Sequence, residues 1–150
     1  MKENNLVETS STNEPICKFE SDAQFQKVLR YWQKVLFLKH WIIKATLIPN
    51  AIKTDDGRLL EGRNFLTPQS GCAVIEVCQE DKYEDAVEKH CEELTLVHEL
   101  LHCKYAYFED TEPSLESAWY ETMEHKKLHE MARTLLMVKY GVNFDWFKNF

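Results

Sequence analysis

The chain contains no uninterrupted apolar run near the roughly 20 residues needed to cross a bilayer. Its opening, "MKENNLVETSSTNEP", lacks the apolar middle of a secretory signal. The expected setting is therefore cytoplasmic and away from a membrane. No basic stripe is present either. With 18 Lys and Arg against 25 Asp and Glu and a net charge of −7, the chain lacks the clustered cations that release phosphate counterions, which argues against nucleic acid as the main partner. No cysteine pair is spaced C-x-x-C, and the five cysteines, Cys17, Cys72, Cys78, Cys91 and Cys103, are odd in number. Neither a disulfide framework nor a thiolate zinc site follows from them, and buried reduced thiols are the expectation. No internal repeat or low-complexity segment appears.

What is present fits one ordinary core. A chain of 150 residues, 44% hydrophobic and 12% aromatic, is long enough for one domain and too short for two. Residues 1–18 are polar and offer little to bury, so they read as a flexible arm ahead of a domain spanning 19–150.

Ser21 with Gln24 has the form of a capping box, and Phe25, Val28, Leu29, Trp32, Val35 and Leu36 follow at helical spacing, which predicts a helix over about 21–38. "HWIIKATLI" is rich in β-branched and aromatic residues, places Trp41, Ile43, Ala45 and Leu47 on one face, and stops at Pro49. Asp56-Gly57 signals a hairpin turn, and "GCAVIEV", residues 71–77, predicts another strand. A short strand near 59–65 is compatible with the segment between them. From Tyr83 to Tyr107 the periodicity turns helical, as a short helix and then a second one. Glu109 to Pro113 breaks it. A long helix over about 114–140 follows, with Leu128, Met131, Ala132, Leu135, Leu136 and Val138 as its apolar stripe and Gly141 as its stop. The closing "VNFDWFKNF" is aromatic enough to dock on the body.

Within "LTLVHELLHCKY", residues 94–105, His98 and His102 stand four apart with Glu99 directly after the first. Residues i and i+4 share a helix face, so both rings can offer a nitrogen to one ion at about 2.0–2.1 Å. Hydrolytic zinc takes three protein ligands and leaves a position for water, whose pKa falls towards about 7. Glu99 is turned aside from the histidine stripe but near enough to serve as general base. Leu94, Leu96, Val97, Leu100 and Leu101 would bury the motif, and two histidines and a glutamate in such surroundings need a metal or hydrogen-bond partners. The competing reading is a metal-free helical core. A third ligand must come from elsewhere, and "YETMEHKKLHEMA" offers Glu121, Glu124, His125 and His129. Glu121 and His125 share a face that continues through Leu128 and Ala132. Cys103 has no base partner of its own and reads as a buried neighbour of the motif.

The order helix, strand, strand, HExxH helix and ligand helix, over about residues 19–140, resembles the minimal core of zincin metallopeptidases. Among these it is similar to the small phage and prophage proteins related to ImmA-type repressor-cleaving peptidases. The resemblance implies an α+β fold with an N-terminal helix, a small β-sheet, an HExxH helix and a long C-terminal ligand helix, holding Zn2+. It implies a protein or peptide substrate, such as a phage or host regulator, in the host cytoplasm if the chain is phage-encoded. Those relatives usually carry a glutamate as third ligand, seven residues before a small residue. Anchored on Ala132, that position is His125 here, with Glu121 as the alternative. In the family, the strand before the active helix binds the substrate backbone as an added strand, a role that would fall to Cys72 to Val77. An oxyanion-stabilising residue would come from Tyr105, Tyr107, Tyr120 or His129. A zinc-holding binding module without turnover is the alternative function on the same fold.

Overall fold

The structure is a computed structural model that describes residues 13–79, 89–106 and 115–150, with residues 115–121 and 149 described for the backbone alone. The expected short helix after Tyr83, the break at Glu109 to Pro113, and Tyr107 lie outside the described residues.

Helix α1 spans Asp22–Val35. Ser21 caps it by accepting from the Gln24 N–H, while the Gln24 side chain accepts from the N–H of Glu20, one residue before the cap. The helix ends three residues earlier than expected because Phe37 enters the left-handed region at φ 59°. There Phe37 N–H donates to Lys34 O and Leu38 N–H to Gln33 O, a Schellman turn with phenylalanine at the position that glycine usually takes. Phe25, Leu29 and Trp32 form its buried stripe.

Strand β1, Ile42–Ile48, follows. The Asp56-Gly57 turn joins two short strands, β2 (Ile52–Lys53) and β3 (Leu59–Leu60), with Gly57 at φ 83° and Ile52 opposite Leu60. The ambiguous segment resolves into β3 and a second strand, β4, Gly62–Thr67. Strand β5 is Cys72–Cys78, entered through Gly71 in the left-handed region. The larger sheet has the order β1-β5-β4, with β5 parallel to β1 and antiparallel to β4. Because β5 is hydrogen-bonded on both sides, Ile75 facing Ala45 and Asn64, it cannot accept an added strand. The expectation that Cys72 to Val77 receives a substrate is therefore corrected: the backbone groups it would need are already in use.

Helix α2, Glu92–Tyr105, lies across β4 and β5. Ala73, Ile75 and Val77 point from β5 into the core, where Leu94, Leu96, Val97, Leu100 and Leu101 meet them. Helix α3, Leu115–Tyr140, packs on α2 through Leu128, Ala132 and Leu136. The chain then forms a 3-10 turn over Phe144–Asn149, in which Phe147 is buried. The described residues form a small α+β fold of three α-helices, a three-stranded sheet and a two-stranded one. Among the described residues no helix is long and apolar enough to cross a membrane.

The body begins earlier than the expected residue 19. Pro15 is buried, and Ile16 and Cys17 offer their carbonyls to the N–H groups of Glu93 and Glu92 at the start of α2. Those two glutamates return the contact: Glu93 accepts from Ile16 N–H at 2.9 Å and Glu92 from Phe19 N–H at 2.7 Å. The segment thus satisfies first-turn N–H groups that a helix leaves unpaired. Residues 1–12 lie outside the described residues.

Candidate metal centre

A rise of 1.5 Å and 3.6 residues per turn bring His98 and His102 onto one side of α2. Their Nε2 atoms are 3.2 Å apart. Two nitrogens on one tetrahedral zinc at about 2.0–2.1 Å stand about 3.3–3.4 Å apart, so the pair has the spacing of two ligands on a shared ion. On α3, His125 comes to the same place, and one ring nitrogen from each of the three histidines lies within 4.8 Å of the others. The His125 ring stacks on His98 with centroids 5.5 Å apart and meets His102 at 4.9 Å. Ala132, fully buried two turns further along α3, is the small residue that allows the helices this approach.

Burial, with the neighbouring His102, His125 and His129, holds the pKa of His98 down to about 3. Burial and His125 lower that of His102 to about 4, against an opposing pull from Glu124. Both rings are therefore neutral at pH 7, the form that ligates a metal. The Nδ1 of His98 is buried without a hydrogen-bond partner among the described residues. Nothing described orients that ring from behind as a carboxylate or carbonyl usually does at a metal site.

Glu99 is buried, and its pKa is raised to about 7 by desolvation, with a hydrogen bond from Asn64 acting the other way. The Asn64 amide on β4 donates to Oε2. Gly62, two residues earlier on the same strand, leaves room for the other oxygen: a Cβ there would stand 3.4 Å from Oε1 and 2.5 Å from Thr95 Cγ2. A cleft of about 240 Å³ opens between β4 and α3, and His98, Glu99, His125, His129, Gly62 and Phe150 are among the residues lining it.

The remaining expected residues divide. Glu124 influences His102 from outside the three-histidine cluster, and the side chains of Glu121 and Tyr120 are not among those described. His129 lines the cleft, whereas Tyr105 packs against the core. Cys103 is fully buried beside the motif. Sequence reasoning missed Gly62, Asn64 and Phe150. Each belongs to a segment far from HELLH along the chain, and "GRNFLT" carries no pattern that marks it as part of a site.

Comparison of the chain with protein-family models, with curated proteins and with solved structures finds no match in any of the three.

Proposed function

We propose that the protein is a zinc-dependent metallopeptidase of the zincin type that hydrolyses a peptide bond in a protein or peptide substrate. The observation that carries the reading is the 3.2 Å Nε2 to Nε2 spacing of His98 and His102, with His125 beside them and Glu99 on the same cleft. Three imidazoles are a competent ligand set for zinc. The exposed His125 ring can swing inward to complete it. Zinc held there supplies Lewis-acid polarisation of a carbonyl and makes water a nucleophile near neutral pH.

The chain's own residues supply the rest. Ionised Glu99 accepts a proton from the attacking water and passes it to the leaving amine. A group whose pKa stands near 7 suits both halves of that task. The Asn64 hydrogen bond to Oε2 fixes the orientation of the carboxylate. His129, which lines the cleft, would be the donor to the oxyanion. An extended substrate pairs with β4, an edge strand whose far side has no strand partner among the described residues.

One observation favours the alternative, a zinc-holding module without turnover: Phe150 forms part of the cleft wall, so the aromatic tail narrows the approach to Glu99. A single comparison separates the two. Wild type and Glu99→Gln are assayed for metal content, melting temperature and cleavage of a peptide mixture. The peptidase reading expects equal metal and similar melting, with cleavage lower in the variant by about 10²–10⁴-fold. Zinc-loaded wild type that binds peptides but never cuts them supports the module.

A further inference from the structure

Two of the five free thiols meet. Cys17 lies in the segment that docks on the start of α2, and Cys91, far along the chain, is the residue immediately before that helix. Main-chain hydrogen bonds fix the two segments against each other: Glu92 N–H donates to Cys17 O at 3.1 Å and Glu93 N–H to Ile16 O at 3.0 Å. The Cys91 thiol lies 3.7 Å from the Ile16 oxygen and shares a hydrogen bond with the Cys17 thiol. Two sulfurs in that contact need to close by only on the order of 1–2 Å to reach the length of a disulfide bond.

Cys91 also stands where a thiol is a poor choice. It is the N-cap of α2, a position that favours Ser, Thr, Asn or Asp, and its side chain makes no capping hydrogen bond. The carbonyls of Ile16 and Cys17 do the capping instead, which leaves the Cys91 sulfur facing the docked segment. The two thiols are not equivalent. Cys17 is half-buried, and the hydrogen bond with Cys91 holds its thiol below the usual range. The same bond, together with burial, pushes the Cys91 thiol up. One sulfur is thus open to solvent and inclined to ionise, and the other is sheltered and keeps its proton.

We propose that Cys17 and Cys91 form a reversible disulfide when the protein meets a hydroperoxide, and that this bond staples the N-terminal segment to the start of α2. The Cys17 thiolate attacks a peroxide oxygen, the O–O bond breaks, and the leaving hydroxide takes a proton to become water. The sulfur, oxidised by two electrons, is now a sulfenic acid. Cys91 then attacks it: the S–S bond forms, the S–O bond breaks, and the hydroxide leaves as water with the Cys91 proton. Two thiols and one hydrogen peroxide give one disulfide and two waters. Cys91 is also part of the cleft wall, so the bond fixes that wall as well. Neither zinc nor turnover is needed for it.

The test exposes the reduced full chain to a small molar excess of hydrogen peroxide. Wild type is expected to fall from five titratable thiols by two and to lose the mass of two hydrogens, and peptide mapping without reductant should join the peptides of Cys17 and Cys91. The melting midpoint should rise by about 5–15 °C, as a bridge across a long loop implies, and return to its starting value with dithiothreitol. Cys17→Ser should form no intramolecular bridge and gain no stability. Cys91→Ser should stop at the Cys17 sulfenic acid, which dimedone traps. The proposal is overturned if wild type, which needs no substitution to fold, keeps five thiols or carries Cys17 to the sulfinic acid without a bridge. It is also overturned if the bridge joins other cysteines, or if the bridge from Cys17 to Cys91 forms and the melting midpoint does not rise.

Discussion

The side-chain amide of Asn64 donates to Oε2 of Glu99, which ties the edge strand β4 to the acid on α2. Removing that donor leaves a buried carboxylate short of a partner. Asn64→Ala is therefore expected to destabilise the fold at neutral pH by about 1–3 kcal/mol, and to raise the pKa of Glu99 further, since the Asn64 bond is what lowers it. Urea denaturation of wild type and variant checks the first part. An unchanged midpoint would mean that the bond contributes nothing. Gly62→Ala is expected to be harmful for a different reason: the new methyl meets Thr95 Cγ2 at 2.5 Å and the Glu76 carbonyl oxygen at 3.1 Å. Thr95 is held in place by His90, whose Nε2 lies 2.9 Å from its hydroxyl.

His98 and His125 differ in a way that separates metal binding from packing. His125 is exposed and His98 largely buried. Chelator-treated His125→Ala is expected to melt within about 0.5 kcal/mol of chelator-treated wild type, as exposed substitutions usually do. With zinc present, wild type should gain stability that the variant lacks, because an ion that binds only the folded state stabilises by mass action, about 4 kcal/mol at a thousand times Kd. Thermal melts with and without zinc decide the matter. An equal zinc-induced shift in both proteins would remove His125 from the site.

HELLH and the stripe of α3 were legible because their information is local: four-residue spacing puts His98 beside His102, and seven-residue spacing, about two turns, puts His125 on the face of Ala132. The Ser21 cap and the Asp56-Gly57 turn were legible for the same reason. The position of β5 was not. Ala73, Ile75 and Val77 alternate with Val74 and Glu76, which shows that one face is buried but says nothing about which strands lie on either side. The partnership of Asn64 with Glu99 crosses 35 residues and depends on that strand order. Glu92 and Glu93 look like an acidic first turn suited to the helix dipole, yet both are fully buried, because the partners that make burial tolerable come from the N-terminal segment, α1 and α3.

Glu93 joins all of these parts. It accepts from Ile16 N–H, Trp32 Nε1, Lys139 Nζ and Tyr140 OH at 2.7–2.9 Å. Lys139 also lies 4.4 Å from the ring centroid of Tyr31 and 5.0 Å from that of Trp32. Glu93→Leu would leave a cation and three neutral donors unpaired, and is expected to cost about 3–5 kcal/mol. Chemical denaturation checks it. A loss below 1 kcal/mol would show that the network only fills space.

The N-terminal boundary can be tested by truncation. A chain starting at Pro15 retains the Ile16 and Phe19 N–H groups that the two glutamates bind, and should keep the cooperative melt of the full chain. One starting at Ser21 removes both donors and the buried Phe19 ring, exposes the core around Phe25 and Cys91, and should melt well below it. Equal melting of the two truncations would show that the docked segment is dispensable.

Acid titration of the metal-free protein tests the electrostatics of the site, and the signs can be worked out group by group. His98 and His102 have folded pKa values depressed to about 3 and about 4 from 6.5. Their contribution to stability is present above pH 6.5 and is lost as the pH falls, because the unfolded chain takes up protons that the folded chain refuses. Glu99 acts in the opposite sense. Its folded pKa is raised to about 7 from 4.5, so its contribution is present below pH 4.5 and is lost as the pH rises through 7. Near pH 5.5 the two histidines give the unfolded state an excess of about two protons, and Glu99 gives the folded state about one, so these three groups leave a net of about one. In Glu99→Gln the opposing group is gone and the net becomes about two. Chelator-treated Glu99→Gln should therefore lose stability more steeply than wild type between about pH 6.5 and 4.5, by about one proton in the slope of unfolding free energy against pH. Urea denaturation at several pH values in that window measures both slopes. Parallel slopes would mean that Glu99 has an ordinary pKa in the folded metal-free protein, and the argument for a base poised near neutrality would fall with it.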